Sequence, residues 1–207
     1  LRCIHVHIPK TAGRSLTDVL FGLERQPHLT AAQYLAVDPK SFADYFKFSI
    51  VRNPWDRIVS YYHMCTSASE DNDLGSALRR IMKRCVDLYG TTEFCNFVRL
   101  VQYINSTHTC LRSEFGVESS FELSPQYDWL HGSDGTCLVD YIGFFESLMN
   151  SYNFICDSLR VPELRNRLRC IGRSEVRSEY RGYYNNTTKT IIGDIYHKDC
   201  DTFDYDF

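Results

Sequence analysis

Residues 4–20 read IHVHIPKTAGRSLTDVL, and this stretch places two periodicities on either side of one basic turn. Apolar and polar residues alternate from Ile4 to Ile8, which predicts a β-strand. From Leu16 onward, apolar residues recur at positions i, i+3, i+4 and i+7, which is typical of an amphipathic helix. The turn between them, residues 9–15, contains a glycine and precedes a helix. Backbone N–H groups in such a turn are suited to hold an anion.

The side chains of this turn favour an anion further, although the turn matches no common phosphate loop. Lys10 adds a positive charge, and Thr11 and Ser15 add hydroxyl donors. A P-loop requires G-x-x-x-x-G-K-[ST], whereas here Lys10 precedes Gly13 and the first glycine is missing. A phosphatase loop ending in arginine is also unsuitable, because its cysteine nucleophile is missing. Taken alone, the turn is equally compatible with an ordinary strand–helix corner that carries a solvated lysine.

A second basic turn lies within FSIVRNPWDRIVSYY, residues 48–62. The stretch 45–51 is rich in aromatic and β-branched residues and is predicted to be a strand. Asn53 and Pro54 are typical of a helix start, so Arg52 lies at the strand end. Ser60 would lie in the second turn of the helix, where its hydroxyl joins the bidentate guanidinium of Arg52 in holding a phosphate. Arg57 is interpreted as a surface or ion-pairing residue.

The order of the predicted elements indicates an α/β fold. A third strand is predicted over 138–144, and helical patterns separate the three strands. This order favours a P-loop-like parallel sheet flanked by helices, in a single domain that covers residues 1–207. Ligands of such folds bind at the carboxyl ends of the strands, where both basic turns lie.

Composition and charge exclude several classes of function. The net charge is −3, which does not support a broad nucleic-acid surface. No run of 18 apolar residues is present, so we predict no membrane span, and no signal-peptide pattern opens the sequence. The nine cysteines include no C-x-x-C pair, so no metal site is predicted. Buried free thiols are the simplest interpretation of Cys85 and Cys156.

The compartment stays open at this stage. The odd number of cysteines and the glycosylation triplets at 105–107 and 185–188 favour a secretory compartment only weakly. We expect either the Golgi lumen, with an anchor upstream of the sequence given, or the cytoplasm. The oligomeric state is equally open.

At these residues the chain resembles a known family. HIPKTAGRSL resembles the 5′-phosphosulfate-binding loop of sulfotransferases, and FSIVRNPWDRIVSYY resembles their 3′-phosphate-binding segment. The similarity is strongest to the branch that includes Golgi carbohydrate sulfotransferases and related bacterial enzymes. It continues at 123–130, 138–148 and 180–207, so it spans nearly the whole chain.

The resemblance implies 3′-phosphoadenosine 5′-phosphosulfate as the sulfuryl donor, with no metal. It also implies which residues bind that donor. The phosphosulfate would be held by Lys10, Thr11, Ala12, Gly13, Arg14 and Ser15, and the 3′-phosphate by Arg52 and Ser60. Two separated anionic groups need two separated cationic sites, which this sequence supplies. Sulfuryl transfer is an in-line displacement, and Lys10 is expected to stabilise the charge that forms on the leaving oxygen.

A hydroxyl acceptor also needs a general base, and histidine is the usual choice near neutral pH. Among seven histidines, His28 is the candidate, because related glycan sulfotransferases carry a histidine between the two nucleotide motifs. His5 and His7 are interpreted as core residues or as residues that support the site. A carboxylate remains open as the base, and the candidates are Asp18, Glu24 and Glu146, although a structural role at a helix start is favoured for Glu146.

The acceptor is predicted only by class, as a hydroxyl on a carbohydrate or a small molecule. Its pocket is expected around residues 24–44, 64–75 and 104–135, because acceptor sites are built from variable loops. Gln126 either lines that pocket or hydrogen-bonds a loop. The tyrosines 180, 183 and 184 either stack on adenine or a sugar, or pack in the core. Two alternatives stay open: a nucleotide-dependent phosphotransferase and a non-catalytic nucleotide- or glycan-binding module.

Overall fold

The computed structural model describes residues 1–24, 26–68, 73–107, 123–169 and 179–207, and for residues 73–77 it describes the backbone only. All three predicted acceptor loops, 24–44, 64–75 and 104–135, therefore lie partly outside the described residues. His108 lies outside them as well.

Three parallel strands form one sheet in the order β1-β2-β3. They are β1 (Cys3–His5), β2 (Phe46–Val51) and β3 (Tyr141–Phe144). His5 lies opposite Phe48, and Phe48 lies opposite Tyr141. This sheet and its flanking helices confirm the predicted α/β class. The outer strands are shorter than the patterns predicted, because β1 ends at His5 and β3 begins at Tyr141.

Helices make up most of the remaining described chain. The α-helices are α1 (Gly13–Phe21), α2 (Ala31–Val37), α3 (Pro39–Asp44), α4 (Pro54–Thr66), α5 (Asp73–Tyr89), α6 (Phe94–Thr107), α7 (Gln126–Leu130), α8 (Leu148–Ser158), α9 (Asn186–Ile195) and α10 (His197–Phe203). Short 3₁₀ helices occupy Phe145–Ser147, Pro162–Leu164 and Tyr180–Tyr183. Capping explains several of the starts: Thr30 and Asn185 each form a capping box at the start of α2 and α9.

The chain divides into two compact units, and each unit combines two separate stretches. Unit 1 comprises Leu1–Asn53 and Gln126–Arg173, and unit 2 comprises Pro54–Pro125 and Ser174–Phe207. Unit 1 contains the whole described sheet, with α1, α2, α3, α7 and α8. The assignment of residues 1–207 to one domain stays a prediction.

The core of unit 1 lies where α1 and α8 pack on the sheet. Phe48 and Ile50 of β2 are fully buried there. They form one apolar cluster with residues of β1, α1 and α8, namely Cys3, Leu16, Leu20, Tyr152, Ile155 and Cys156. Because β1 and β2 are anchored in this cluster, the packing fixes where the segments that follow each of them begin.

The described part of unit 2 is helical, and it buries Arg57. Arg57 was expected at the surface or in an ion pair; it is only 2% exposed, so the surface alternative is wrong. Its Nη1 donates to the carbonyl of Ser124 at 3.0 Å, and its guanidinium lies 6.0 Å from the centre of the Tyr196 ring. Arg57 and its neighbours Trp55 and Ile58 are all buried. Helix α4 is therefore enclosed on more of its circumference than a helix at a protein surface would be.

The tyrosines near the C-terminal end of the chain take part in this second core. Tyr180, Tyr183 and Tyr184 pack against the apolar cluster of unit 2. The hydroxyl of Tyr184 donates to the carbonyl of Trp55 at 2.9 Å. Core packing is therefore the arrangement observed for all three, as one of the two interpretations expected.

The cysteines in the described part of the chain are free thiols, and Cys110 and Cys170 lie outside that part. Cys85 and Cys156 are buried as predicted, and burial raises the pKa of Cys85 to about 11, which makes it a poor nucleophile. Within the described ranges, no helix is long and apolar enough to cross a membrane. No described cluster of His, Cys, Asp and Glu side chains has the arrangement of a metal site.

Candidate functional site

The turn after β1 is shaped by its backbone. The N–H of Val6 donates to the carbonyl of Phe48 at 2.9 Å, which carries the ladder one residue beyond β1. Lys10 and Ala12 then adopt positive φ angles of 71° and 70°. Left-handed conformations are costly for residues with a Cβ, and alternation of the two hands turns successive N–H groups toward one side. The hydroxyl of Thr11, which is fully buried, donates to the carbonyl of Ile8 at 2.8 Å and closes the turn.

Helix α1 opens directly from this turn, and its N-cap residue provides no side-chain cap. Ala12 occupies the N-cap position and makes no side-chain capping bond, and the first turn of α1 contains no acidic residue. The positive end of a nine-residue helix is therefore available to an anion. Ser15 is buried in the first turn of α1, and Arg14 is exposed beside it.

Arg52 comes to this turn from the end of β2. Its side chain is buried, with 6% of the residue exposed. The Nη1 atom donates to the carbonyl of Lys10 at 2.9 Å, and the guanidinium lies 3.9 Å above the ring of Phe145. These two contacts limit the movement of the guanidinium. Unit 1 thus brings together the two basic turns that are separate in the sequence.

The backbone of the second turn is held by side chains from later in the chain. Gln126, which is fully buried at the start of α7, accepts from the N–H of Arg52 at 2.9 Å. Its Nε2 donates to the carbonyl of the same residue at 2.7 Å. The Oε1 of Glu146 accepts from the N–H of Asn53 at 2.7 Å. Of the alternatives considered, Gln126 therefore hydrogen-bonds a loop, and Glu146 has a structural role.

His28 lies half-buried between α1 and α2, at the end of a row of three imidazoles. Its ring meets the ring of His7 edge-on, with centroids 4.6 Å apart, and lies 6.5 Å from that of Trp129. His7 in turn stacks on His5 at 5.4 Å, and His5 stacks on Phe48 at 4.9 Å. Within unit 1, the ring of His7 therefore lies between His28 and His5, the last residue of β1.

The two inner histidines are neutral at physiological pH. His5 is 1% exposed and His7 is 6% exposed. Burial lowers the pKa of His5 to about 4, and it holds the pKa of His7 well below the ordinary histidine value of 6.5. Sequence reasoning interpreted both as core residues or as residues that support the site, but it did not find the contact between His7 and the turn. The available sequence signal was that His5 and His7 share one face of the predicted strand and that Gly13 follows in the turn.

The remaining candidate residues are Ser60 and the alternative carboxylates. Ser60 is a half-buried residue of α4 and belongs to unit 2, eight residues after Arg52 in the sequence. The alternative carboxylates Asp18, Glu24 and Glu146 are all exposed. His63 pairs its Nε2 with the hydroxyl of Tyr183 at 2.7 Å, which gives that histidine a role within unit 2.

Comparison with known proteins adds one positive finding. The chain matches the model described as the sulfotransferase family over residues 2–206, which is nearly its entire length. No curated protein and no protein of solved structure shows significant similarity to it. The match includes both basic turns and the residues that bring them together.

Proposed function

Because this chain belongs to the sulfotransferase family, we propose that it transfers a sulfuryl group from 3′-phosphoadenosine 5′-phosphosulfate to a hydroxyl of a carbohydrate or small molecule. Sulfuryl transfer in general follows from the family. The identity of the donor, the class of acceptor and the roles of individual residues are the proposal.

One observation carries the proposal. The guanidinium of Arg52 reaches the carbonyl of Lys10 at 2.9 Å, so two cationic residues and the N-terminus of α1 share one part of unit 1. A donor with a 5′-phosphosulfate and a separate 3′-phosphate needs such a pair of neighbouring anion sites. In this proposal residues 10–15 hold the phosphosulfate, and Arg52 holds the 3′-phosphate. Ser60 joins Arg52 on the strength of its sequence spacing and the family resemblance.

The proposed chemistry is a single in-line displacement at sulfur. The acceptor oxygen forms the new S–O bond while the bond from sulfur to the bridging phosphate oxygen breaks, which leaves 3′-phosphoadenosine 5′-phosphate. Lys10 stabilises the negative charge that develops on that leaving oxygen. His28 takes the proton of the acceptor hydroxyl. No step requires a metal ion.

Calorimetric titration with 3′-phosphoadenosine 5′-phosphate tests the donor site, with adenosine 5′-phosphate and ATP as comparison ligands. We expect binding that depends on the 3′-phosphate, that weakens at least about 100-fold in Arg52→Ala, and that weakens about tenfold in Lys10→Ala. Lys40→Ala and Arg165→Ala are matched controls, because both residues are exposed and lie outside the site. Equal affinity for adenosine 5′-phosphate would contradict the proposed donor.

The acceptor class is tested separately, by transfer of labelled sulfate from the donor to panels of glycans and of small hydroxyl compounds. His28→Gln should abolish most of the transfer to any acceptor and preserve nucleotide affinity, because His28 is assigned to the proton and not to the donor. Full transfer by His28→Gln would exclude His28 as the base and leave the donor assignment intact.

A further inference from the structure

One buried imidazole touches both parts of the proposed catalytic site. A Cβ atom placed on Gly13 would lie 1.8 Å from Cδ2 and 1.9 Å from Nε2 of His7, so this edge of the ring packs directly on the turn backbone. The same ring meets that of His28 in a T-shaped contact, with centroids 4.6 Å apart. Gly13 is therefore required by the proximity of His7, and not by its backbone dihedral angles.

Stacking sets the orientation of this ring. His7 lies on His5 with an interplanar angle of 15°, and His5 lies on Phe48 with an angle of 6°. Among the described residues, Nδ1 of His7 and both ring nitrogens of His5 are buried without a hydrogen-bond partner. The aromatic contacts therefore help to determine where the edge of His7 points.

We propose that His7 is a positioning residue, whose ring holds the backbone at Gly13 and the imidazole of His28 in a fixed relation to each other. As a consequence, the imidazole of His28, which takes the acceptor proton, is aligned with the turn that holds the sulfuryl donor. The inference rests on the proposed function, in which the turn binds phosphosulfate and His28 is the base. Proton transfer depends on such alignment to a fraction of an ångström.

Neutrality of His7 suits this role. A neutral ring packs against the imidazole of His28 as an aromatic surface, without bringing a charge into that contact. Burial is the main cause of the lowered pKa that keeps His7 neutral. The same ring is closely packed, with His5 behind it, so its movement would require the stack to separate.

Three variants test the proposal: His7→Ala, His7→Phe and the matched control His5→Phe. His5 shares the stack with His7, yet its ring contacts are with Phe48 and His7. We measure nucleotide affinity by calorimetry, kcat and donor KM with a transferred label, and the pH titration of the His28 ring resonances by NMR with 3′-phosphoadenosine 5′-phosphate bound. The melting temperature of each variant reports whether it folds.

For His7→Ala we expect kcat to fall 10- to 100-fold, donor affinity to weaken about threefold to tenfold, and the His28 titration to shift from that of the wild type. His7→Phe restores the ring volume and should recover kcat and affinity to within about fivefold. His5→Phe should leave all three quantities within about threefold.

A folded His7→Ala with wild-type kcat and an unchanged His28 titration would overturn the proposal. Equal losses in His7→Ala and His5→Phe would also overturn it, because they would indicate a general loss of core packing. Failure of the proposed function is distinguishable from these results: it would appear in the wild type, as absence of binding to 3′-phosphoadenosine 5′-phosphate.

Discussion

The turns after β1 and β2 both carry cationic side chains, but they are built in different ways. The turn after β1 relies on its backbone, with positive φ at Lys10 and Ala12 and an uncapped helix start. The turn after β2 relies on a fixed side chain, because Arg52 is buried on Phe145 and its backbone is bonded to Gln126. Lysine on a strained loop acts as a point charge, whereas a stacked arginine offers a fork in one plane. A single fold thus positions two cationic turns by separate physical means.

Gly13→Ala should produce the largest effect, because it disrupts the first turn and leaves the second intact. The new Cβ would overlap the ring of His7, at 1.8 Å from Cδ2. Displacement of the turn is expected to lower sulfuryl transfer about 100-fold and the free energy of unfolding by about 3 kcal/mol. Initial rates and urea denaturation measure the two effects.

Gly182→Ala is the matched control for this change. A Cβ at Gly182 meets nothing within 4 Å. Its free energy of unfolding should stay within about 0.5 kcal/mol of the wild type. Normal transfer by Gly13→Ala would show that the first turn does not depend on contact with His7.

Gln126→Leu disrupts the second turn instead. The N–H and the carbonyl of Arg52 both lose the amide that bonds them, and both are buried with that residue. We expect the free energy of unfolding to fall by about 2 to 3 kcal/mol and nucleotide affinity to weaken about tenfold. The exposed Gln102, on α6, supplies the control Gln102→Leu, which should be nearly neutral. An unchanged affinity in Gln126→Leu would mean that Arg52 is positioned by its side-chain contacts alone.

Acid pH should separate the two turns, because only the first is backed by buried imidazoles. Burial lowers the pKa of His5 from 6.5 to about 4, so between these values the unfolded chain binds a proton that the folded chain does not. The folded state therefore loses stability as the pH falls below 6.5. Between pH 7 and pH 5 the wild type should lose about 2 kcal/mol more than His5→Phe does. Parallel urea denaturation curves of the two proteins, at both pH values, check this difference; equal losses would contradict it.

Ala12→Gly should give the smallest effect, and the sign of the change in the free energy of unfolding shows whether the turn after β1 is strained. Ala12 has φ 70° and ψ 16°, a conformation that glycine adopts without steric cost. The change should raise the free energy of unfolding by about 1 kcal/mol. At Ala36, an exposed position within α2, the same substitution should lower it by about 1 kcal/mol. Thermal denaturation of both variants decides whether the first turn is strained.

The local architecture of the site was predictable from the sequence. The change from period two to helical period around residues 9–15 marks a strand, a turn and a helix, and the same change recurs at Arg52. Both patterns are local, so they required no knowledge of which distant segments meet. The α/β class followed from the alternation of the elements for the same reason.

Contacts between distant segments were not predictable in this way. Gln126 bonds Arg52 across a separation of 74 residues, and nothing in the composition of either segment specifies that pairing. The surface alternative for Arg57 followed from its charge, whereas the enclosure of α4 buries this residue along with Trp55 and Ile58. The contact of His7 with Gly13 likewise depends on the path of the chain through the turn.

The division of each unit into two stretches has a consequence for the order of folding during synthesis. An unfinished chain of residues 1–125 contains no complete unit, since both units need residues that follow Pro125. Arg52 emerges 74 residues before Gln126. At roughly 5–20 residues per second, that is a delay of about 4–15 s. During this interval the turn that contains Arg52 lacks its hydrogen bonds to Gln126. We expect the yield of native protein to depend on translation speed and on chaperones that cover the exposed strands.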